Sequence, residues 1–331
     1  MTSPSSADWM RPLGSTGLQV SAVCAGGAPL GSMPENFGYE VSYDDGVSLV
    51  GHILDSPIRM LDTANGYSGG ESERRIGAAV AAFGGLPADF LVATKVDARN
   101  GDYSGERVRA SVAESKERLG FNSLPLVYLH DPEYFDFTEM SKPGGAVETL
   151  TALRAEGQIG HVGLAGGTVQ EMSRYLALGG FEVVLVHNRW TLVDRSAADL
   201  IRQAEDQGVA VVNAAIYGGG ILANPGGGGT TYGYRPASSE TLAAIAKMDA
   251  VCREHDTDLA TAALQASVND SRISTTVIGF SRPSRLHRIL TGLSAELPLE
   301  LFDRLDELLP GRENWLDFPS PLETQGTKET S

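Results

Sequence analysis

The feature that most restricts the fold is a recurrence of short runs that are apolar at nearly every position. They are "VSAVCAGG" (20–27), "IRMLD" (58–62), "FLVATK" (90–95), "LPLVYLH" (124–130), "GHVGL" (160–164), "FEVVLVHN" (181–188), "VAVVNA" (209–214) and "STTVIGF" (274–280). A strand with one wet face alternates apolar and polar residues. Runs without that alternation read as strands covered on both faces, as in a parallel sheet under helices. Stretches of helical period lie between them, near 44–56, 70–83, 104–119, 146–156, 168–178, 195–207, 239–255 and 283–292. In the third, Val108, Val112, Ser115 and Leu119 share a face, Ser104 precedes the helix, and Gly120 stands where a left-handed C-terminal residue belongs.

Eight strand–helix units in 331 residues predict one α/β domain, a closed (β/α)8 TIM barrel spanning 1–331, rather than an open doubly wound sheet. The missing Gly-x-Gly-x-x-Gly after the first strand points the same way. Two segments fall outside the repeat. "RPLGSTGLQVS" (11–21) reads as an N-terminal β-hairpin placed to cap the barrel's bottom. The Gly-rich stretch 216–239 reads as a long loop at the C-terminal face, a flexible lid or a disordered connection. Residues 1–9 and 320–331 are expected to be flexible, since the periodicity is lost there and the tail ends polar.

Composition narrows the partners. The net charge of −16 favours solubility and argues against nucleic acid or an anionic membrane surface. No run approaches the roughly 18 consecutive apolar residues of a membrane span. The start lacks the basic and apolar regions of a secretory signal. Cys24 and Cys252 are far apart and without ligand spacing, which fits reduced, buried thiols in the cytoplasm. His52, His161, His255 and His287 show no metal-like spacing, so no metal is expected. Gly226–Gly229 is not followed by Lys-Ser/Thr and no strand directly precedes it, so a P-loop is not expected.

Three successive strands end on groups that exchange or stabilise a proton: Asp62, Lys95 and His130, each one strand–helix unit from the next. In a parallel barrel these ends open on one face, where active sites of the fold lie. Tyr67 follows Asp62 within a Gly-bearing turn. Each residue alone has an ordinary reading: a turn-forming acid, a half-buried aromatic, a solvated lysine, a histidine bonded in a turn. Their shared register favours a common role. A phenol with a pKa near 10 is a poor acid or base at neutral pH, and a neighbouring ammonium is expected to lower that pKa. Asp62 is expected to keep Lys95 charged, and His130 to donate to a substrate oxygen or share a proton with Tyr67. Such a set moves a proton at an oxygen while a hydride moves at the attached carbon.

"DTANGY" followed by Glu71 and "RRIG", Lys95 in "ATK", His130 in "YLH" and the opening "RPLGSTGLQVSAVCAGGAPLG" resemble the aldo-keto reductase superfamily from about Arg11 to Leu290. The resemblance implies a catalytic tetrad of Asp62, Tyr67, Lys95 and His130, with Tyr67 as general acid/base and NADP or NAD lying across the barrel mouth. "VYLHDPEY" (127–134), "NRWTLVDRSA" (188–197) and "GGGILA…YGYRPA" are most similar to the L-fucose dehydrogenase and D-threo-aldose 1-dehydrogenase branch. That branch oxidises a sugar's anomeric hydroxyl to a lactone. Other members act on pyridoxal or simple carbonyls, and channel β-subunits of the superfamily bind the cofactor with little turnover. A barrel enzyme that handles phosphate without redox chemistry is the remaining alternative.

The resemblance also implies cofactor contacts. Gly279, Phe280, Ser281 and Arg285 lie in "VIGFSRPSRLHRIL" (277–290), where exposed N–H groups at a helix start bind phosphate. The backbone around Gly220 and Leu222 forms a second candidate. His187 stands where the superfamily has a glutamine, and Tyr217 follows Ala214, where a nicotinamide-stacking aromatic is usual. Other departures are "LAGG" (164–167) for the usual Ser-Asn, Phe280 for a lysine, and Arg288-Ile289 for Glu-Asn. Arg282, Arg285 and Arg288 are able to pair with a 2′-phosphate, which favours NADP over NAD. Trp190, Tyr232 and Tyr234 are the substrate-side candidates, with barrel packing an equal reading for Trp190. The expected partner is a small polar carbonyl compound or sugar; its identity, the direction of reaction and the oligomeric state stay open.

Overall fold

The computed structural model describes residues 2–34 and 38–318. Met10–Pro12 (β1) and Gln19–Ser21 (β2) form an antiparallel hairpin. Seven parallel strands follow: Val23–Gly26 (β3), Met60–Asp62 (β4), Leu91–Val96 (β5), Leu124–His130 (β6), Ile159–Gly166 (β7), Val183–His187 (β8) and Ala210–Ala214 (β9). A short hairpin, Thr231–Tyr232 (β10) with Arg235–Pro236 (β11), interrupts the repeat before Ile273–Gly279 (β12). β12 pairs with both β9 and β3, which closes the sheet into an eight-stranded barrel. Each of the eight apolar runs supplies one barrel strand, as expected.

The helices are Tyr43–Asp55 (α1), Glu71–Phe83 (α2), Gly105–Leu119 (α3), Phe137–Ser141 (α4), Ala146–Ala155 (α5), Val169–Leu176 (α6), Ala198–Asp206 (α7), Ser239–Glu254 (α8), Leu259–Val268 (α9), Pro283–Leu293 (α10) and Leu299–Glu307 (α11). Their starts follow ordinary capping chemistry. The side chains of Ser42, Ser104, Ser238 and Asp258 each accept from the backbone N–H three residues on, and each such cap is worth about 1 kcal/mol. α3 ends at Gly120 with φ +75°, a conformation that glycine adopts without strain.

The core has two shells. Inside the barrel, Leu13, Val20, Met60, Leu126, Val183 and Val212 pack together. Between barrel and helices lie Ile53, Ile76, Val108, Val127, Leu164 and Leu200, all buried. Full burial of such side chains is worth roughly 1.5–3 kcal/mol each. Leu13 and Val20 come from the N-terminal hairpin, so the hairpin plugs the bottom of the barrel. Gly14 sits there at φ +56°, against Ala210, where an added Cβ would lie 3.0 Å from the backbone nitrogen. Only the strand C-termini remain open.

Two details differ from expectation. Residues 2–9 lie against the body: the Thr2 backbone N–H donates to Asn269 Oδ1 at 3.0 Å, and Trp9 is buried with its indole N–H on the Pro57 carbonyl at 2.9 Å. Residues 320–331 fall outside the described residues. The Gly-rich loop is not a free lid over its whole length. The Tyr232 phenol is buried, donating to the Asn188 carbonyl at 2.5 Å and sharing a 2.8 Å hydrogen bond with Thr191 Oγ1, which fastens the second half of the loop to the segment after β8. The turn at 226–229 stays exposed.

Candidate active site

β4, β5 and β6 are neighbours, so their C-terminal residues meet at one mouth. Lys95, fully buried, donates from Nζ to Asp62 Oδ1, to the Thr63 carbonyl at 2.7 Å and to Tyr67 Oη at 3.3 Å. The ammonium thus points at the phenol, with two anionic or dipolar acceptors behind it. The Tyr67 and His130 rings meet edge to face with centroids 5.7 Å apart. The four sequence candidates converge as expected.

The turn carrying Tyr67 explains the local sequence. Gly70 has φ +93°, and an added Cβ would lie 2.4 Å from Arg118 Cζ, so no side chain fits. That guanidinium donates to the Asn65 carbonyl at 2.9 Å and to the buried Glu73 at 3.0 Å. Ser68, at φ +51°, donates from Oγ to the Ser32 carbonyl at 3.0 Å. Glycine and serine let the chain fold back so that the phenol reaches Lys95. On the opposite side, Tyr103 Oη accepts from the His130 backbone N–H at 2.9 Å and holds the end of β6.

The electrostatics divide the site. Burial works most strongly against the Lys95 charge, but the Asp62 carboxylate and the Tyr67 oxygen together outweigh it and leave the amine held charged, above its usual range. Burial raises the Tyr67 phenol; Lys95 pulls it down by less, so the net direction is upward and the resting phenol keeps its proton. The expected net lowering by the ammonium is therefore corrected: dehydration of the phenolate dominates. Burial lowers His130, yet Asp97 and Asp131 together hold it above the ordinary imidazole value. His187, also at the mouth, goes the other way, pushed down to about 4 by burial, with Arg189, His130 and Lys95 acting in the same direction. Two imidazoles in one pocket are thus driven apart, one toward the cation and one neutral.

Asp97 escaped sequence reasoning. Its Oδ1 lies 2.6 Å from His130 Nδ1 and its Oδ2 accepts from the Gly66 N–H at 2.5 Å. The signal was the spacing, since Lys95 and Asp97 are two residues apart and share one face of an extended chain. Asp131, Glu133 and Asn188 were missed as well. Each has a buried oxygen without a hydrogen-bond partner among the described residues (Asp131 Oδ1, Glu133 Oε2, Asn188 Oδ1). One polar atom each of Asp131, Glu133 and His187 lie within 4.8 Å of one another, so the mouth is rich in acceptors.

The remaining candidates separate. Tyr234, 61% exposed, stands beside Asn188 and Asp131 at the mouth. The Tyr232 phenol is instead taken up by the Asn188 carbonyl and Thr191 Oγ1 in the segment after β8. Trp190 is turned away. Its indole N–H donates to Asp270 Oδ2 at 2.9 Å, and its ring packs under the Arg195 and Arg272 guanidiniums. It lines a flank groove of about 1020 Å³ with Thr2, Arg11 and Ile273, toward the barrel bottom and away from the tetrad. Phe280 and Leu222 are fully buried, which leaves only their main chain to meet a ligand. Ser281 Oγ and Tyr217 Oη are buried without partners, and Gly220 is exposed. Ser281 lies two residues before α10, Arg282 is the residue at its N-terminal cap and Arg285 lies in its first turn. Among the described residues neither arginine has an ion-pair partner, whereas Arg288 pairs with Asp258 at 2.8 Å.

The family model described as the aldo/keto reductase family matches residues 22–310. The chain belongs to the aldo/keto reductase family. As a member it is an NAD(P)-dependent oxidoreductase. This aldo/keto reductase is 31% identical to the L-galactose dehydrogenase of Arabidopsis thaliana, over 95% of its own length and 98% of the relative's. It is 29% identical to a D-threo-aldose 1-dehydrogenase from a Pseudomonas species, over 88% and 94% respectively. In fold it is similar to an aldo-keto reductase from Bacillus halodurans in its holo form, with a TM-score of 0.75 at 21% identity, covering 93% of this chain and 98% of that one.

Proposed function

We propose that this enzyme oxidises the anomeric hydroxyl of an aldose to the lactone with NADP or NAD, with Tyr67 exchanging the proton. One observation carries the reading: Lys95 Nζ, paired with Asp62, donates to Tyr67 Oη at the open end of the barrel. The names of the two sugar dehydrogenases similar to it agree with a sugar substrate. So does the acceptor-rich wall of Asp131, Glu133 and Asn188, whose unpartnered oxygens suit the O–H donors of a polyol.

The residues also fit a dinucleotide. The Ser281 hydroxyl, buried without a hydrogen-bond partner among the described residues, the start of α10 and the Arg282 and Arg285 guanidiniums form a cationic cradle for phosphate. These two guanidiniums, of which Arg285 also lies over the Tyr39 ring, favour a 2′-phosphate and hence NADP. The bound nicotinamide supplies the hydride acceptor. The protein's own part is proton chemistry and orientation. Once the resting phenol has released its proton to solvent, Lys95 stabilises the Tyr67 phenolate, which takes the proton from the anomeric hydroxyl as the hydride leaves C1, and Asp62 keeps Lys95 charged. His130 directs a ring nitrogen at the substrate oxygen, while the mouth carboxylates accept from the neighbouring hydroxyls. Two buried thiols, Cys24 and Cys252, fit a cytoplasmic setting. Among the described residues no helix is long and apolar enough to cross a membrane.

A second reading, reduction of a small aldehyde, is favoured by the proton that Tyr67 keeps at rest, which makes the phenol an acid ready to donate. A panel of aldoses and aldehydes, each assayed at 340 nm with oxidised and reduced NAD and NADP, decides between them. Aldose-dependent reduction of NADP supports the proposal. Turnover confined to aldehyde plus reduced cofactor replaces it with the second reading. No turnover of any pair refutes both.

A further inference from the structure

We propose that Asp97 is a positioning residue of the site, one carboxylate that clamps the His130 imidazole and the Tyr67-bearing turn to each other and leaves His130 Nε2 facing the substrate. The inference rests on the oxidoreductase reading above and adds a residue to its machinery.

The geometry is specific. Oδ1 meets His130 Nδ1 at 2.6 Å and Oδ2 takes the Gly66 N–H at 2.5 Å, so each oxygen holds a different catalytic segment. The clamp is itself anchored, since the Asp97 backbone N–H donates to Ser111 Oγ on α3 at 3.2 Å. Gly66 has an ordinary φ of −80°, so backbone freedom is not why it is glycine. An added Cβ there would lie 2.9 Å from Asp97 Cγ; the side chain is absent where the carboxylate seats.

A carboxylate on Nδ1 requires that nitrogen to carry a proton. Nε2 is then the nitrogen turned to the pocket, and its nearest acid is Asp131 Oδ2 at 3.8 Å. The groups facing His130 are Lys95 from β5, Asp97 just after it, Asp62 from β4, Asp131 after β6, His187 from β8, and the Tyr67 and Tyr103 phenols. Burial and the Lys95 charge act against the imidazolium; Asp97 and Asp131 act for it. Removing Asp97 leaves one carboxylate against both.

A residue that merely braced a loop would leave the imidazole's protonation untouched, and this separates the two roles. Asp97→Asn keeps the shape, and its amide oxygen is able to retain the Gly66 N–H. Its NH2 then faces His130 Nδ1 and forces that nitrogen to become an acceptor. The experiment is 15N NMR of histidine side chains across pH, with kinetics and nucleotide-binding fluorescence on the same samples. In the wild-type protein Nδ1 of His130 is expected to stay protonated throughout. In Asp97→Asn the tautomer switches and the titration midpoint falls by about one unit or more. kcat/KM drops roughly tenfold or more with its pH profile displaced alike, while nucleotide affinity is unchanged.

An unprotonated Nδ1 in the wild-type protein overturns the proposal even if the variant fails to fold. So does a variant with unaltered tautomer and midpoint, or one that loses activity and nucleotide affinity together. If the wild-type protein turns over but the histidine signals do not respond, only the role of Asp97 fails. If it turns over no carbonyl or sugar with either nucleotide, the underlying reading fails and takes the proposal with it.

Discussion

Replacing Lys95 with methionine tests the core of the site through stability, without any need for a substrate. Methionine fills most of the space but leaves Asp62 buried, with neither carboxylate oxygen paired, since Oδ2 already lacks a partner. Breaking one half of a buried ion pair costs about 3–5 kcal/mol. A ceiling comes from protonation. A carboxyl with a pKa of about 3.9 in the unfolded chain escapes its buried charge at pH 7 by taking up a proton, at about 1.36 kcal/mol per unit over roughly three units, or about 4 kcal/mol. The pH dependence has a definite sign. In the variant, folded Asp62 binds a proton that the unfolded chain has released, so the folded state gains as pH falls. The deficit relative to wild type therefore shrinks by about 1.4 kcal/mol per unit below pH 7, until wild-type Asp62, which burial holds above the ordinary carboxylate range, takes up its proton as well. Equilibrium urea unfolding, followed by the fluorescence of Trp9, Trp190 and Trp315, measures it. Adding Asp62→Val to Lys95→Met is expected to recover most of the loss while activity stays absent. A deficit below about 1 kcal/mol, or one independent of pH, refutes the buried pair.

Tyr67→Phe is expected to lower kcat about 10²- to 10⁴-fold with nucleotide affinity intact, by steady-state kinetics and fluorescence titration. Arg285→Ala is expected to weaken NADP binding more than NAD binding, since its guanidinium near the start of α10 has no carboxylate partner among the described residues. Trp190→Phe is expected to leave KM for substrate unchanged and to cost stability, because its indole is tied to Asp270 away from the mouth. Gly218→Ala is expected to lower the unfolding midpoint: at φ +59° its new Cβ would lie 2.4 Å from the Tyr232 ring.

The barrel was legible because strands buried on both faces leave unbroken apolar runs, a pattern that survives without knowledge of what they pack against. α9 was not, since "LATAALQASV" is mostly small residues and carries little contrast between its faces. The tetrad was legible because the barrel's own repeat aligns Asp62, Lys95 and His130. Asp97 was not legible, because the partners that define it, Gly66 and His130, are distant in sequence. Tyr232 shows the reverse error, and for Trp190, where pocket lining and barrel packing were equal readings, the structure favours packing. An aromatic in a loop near the mouth reads as a ligand contact until its hydrogen-bond partner is seen, and both partners here are internal. The phenol's net electrostatics depended on burial depth, which residue spacing does not carry.

The most direct measurement follows a C1-deuterated aldose incubated with the enzyme and oxidised nucleotide, using NMR to locate the label. The account predicts deuterium at C4 of the nicotinamide, at a rate that falls about 10²-fold or more in Tyr67→Phe. Deuterium released to water, or equal transfer by the Tyr67→Phe protein, would contradict it.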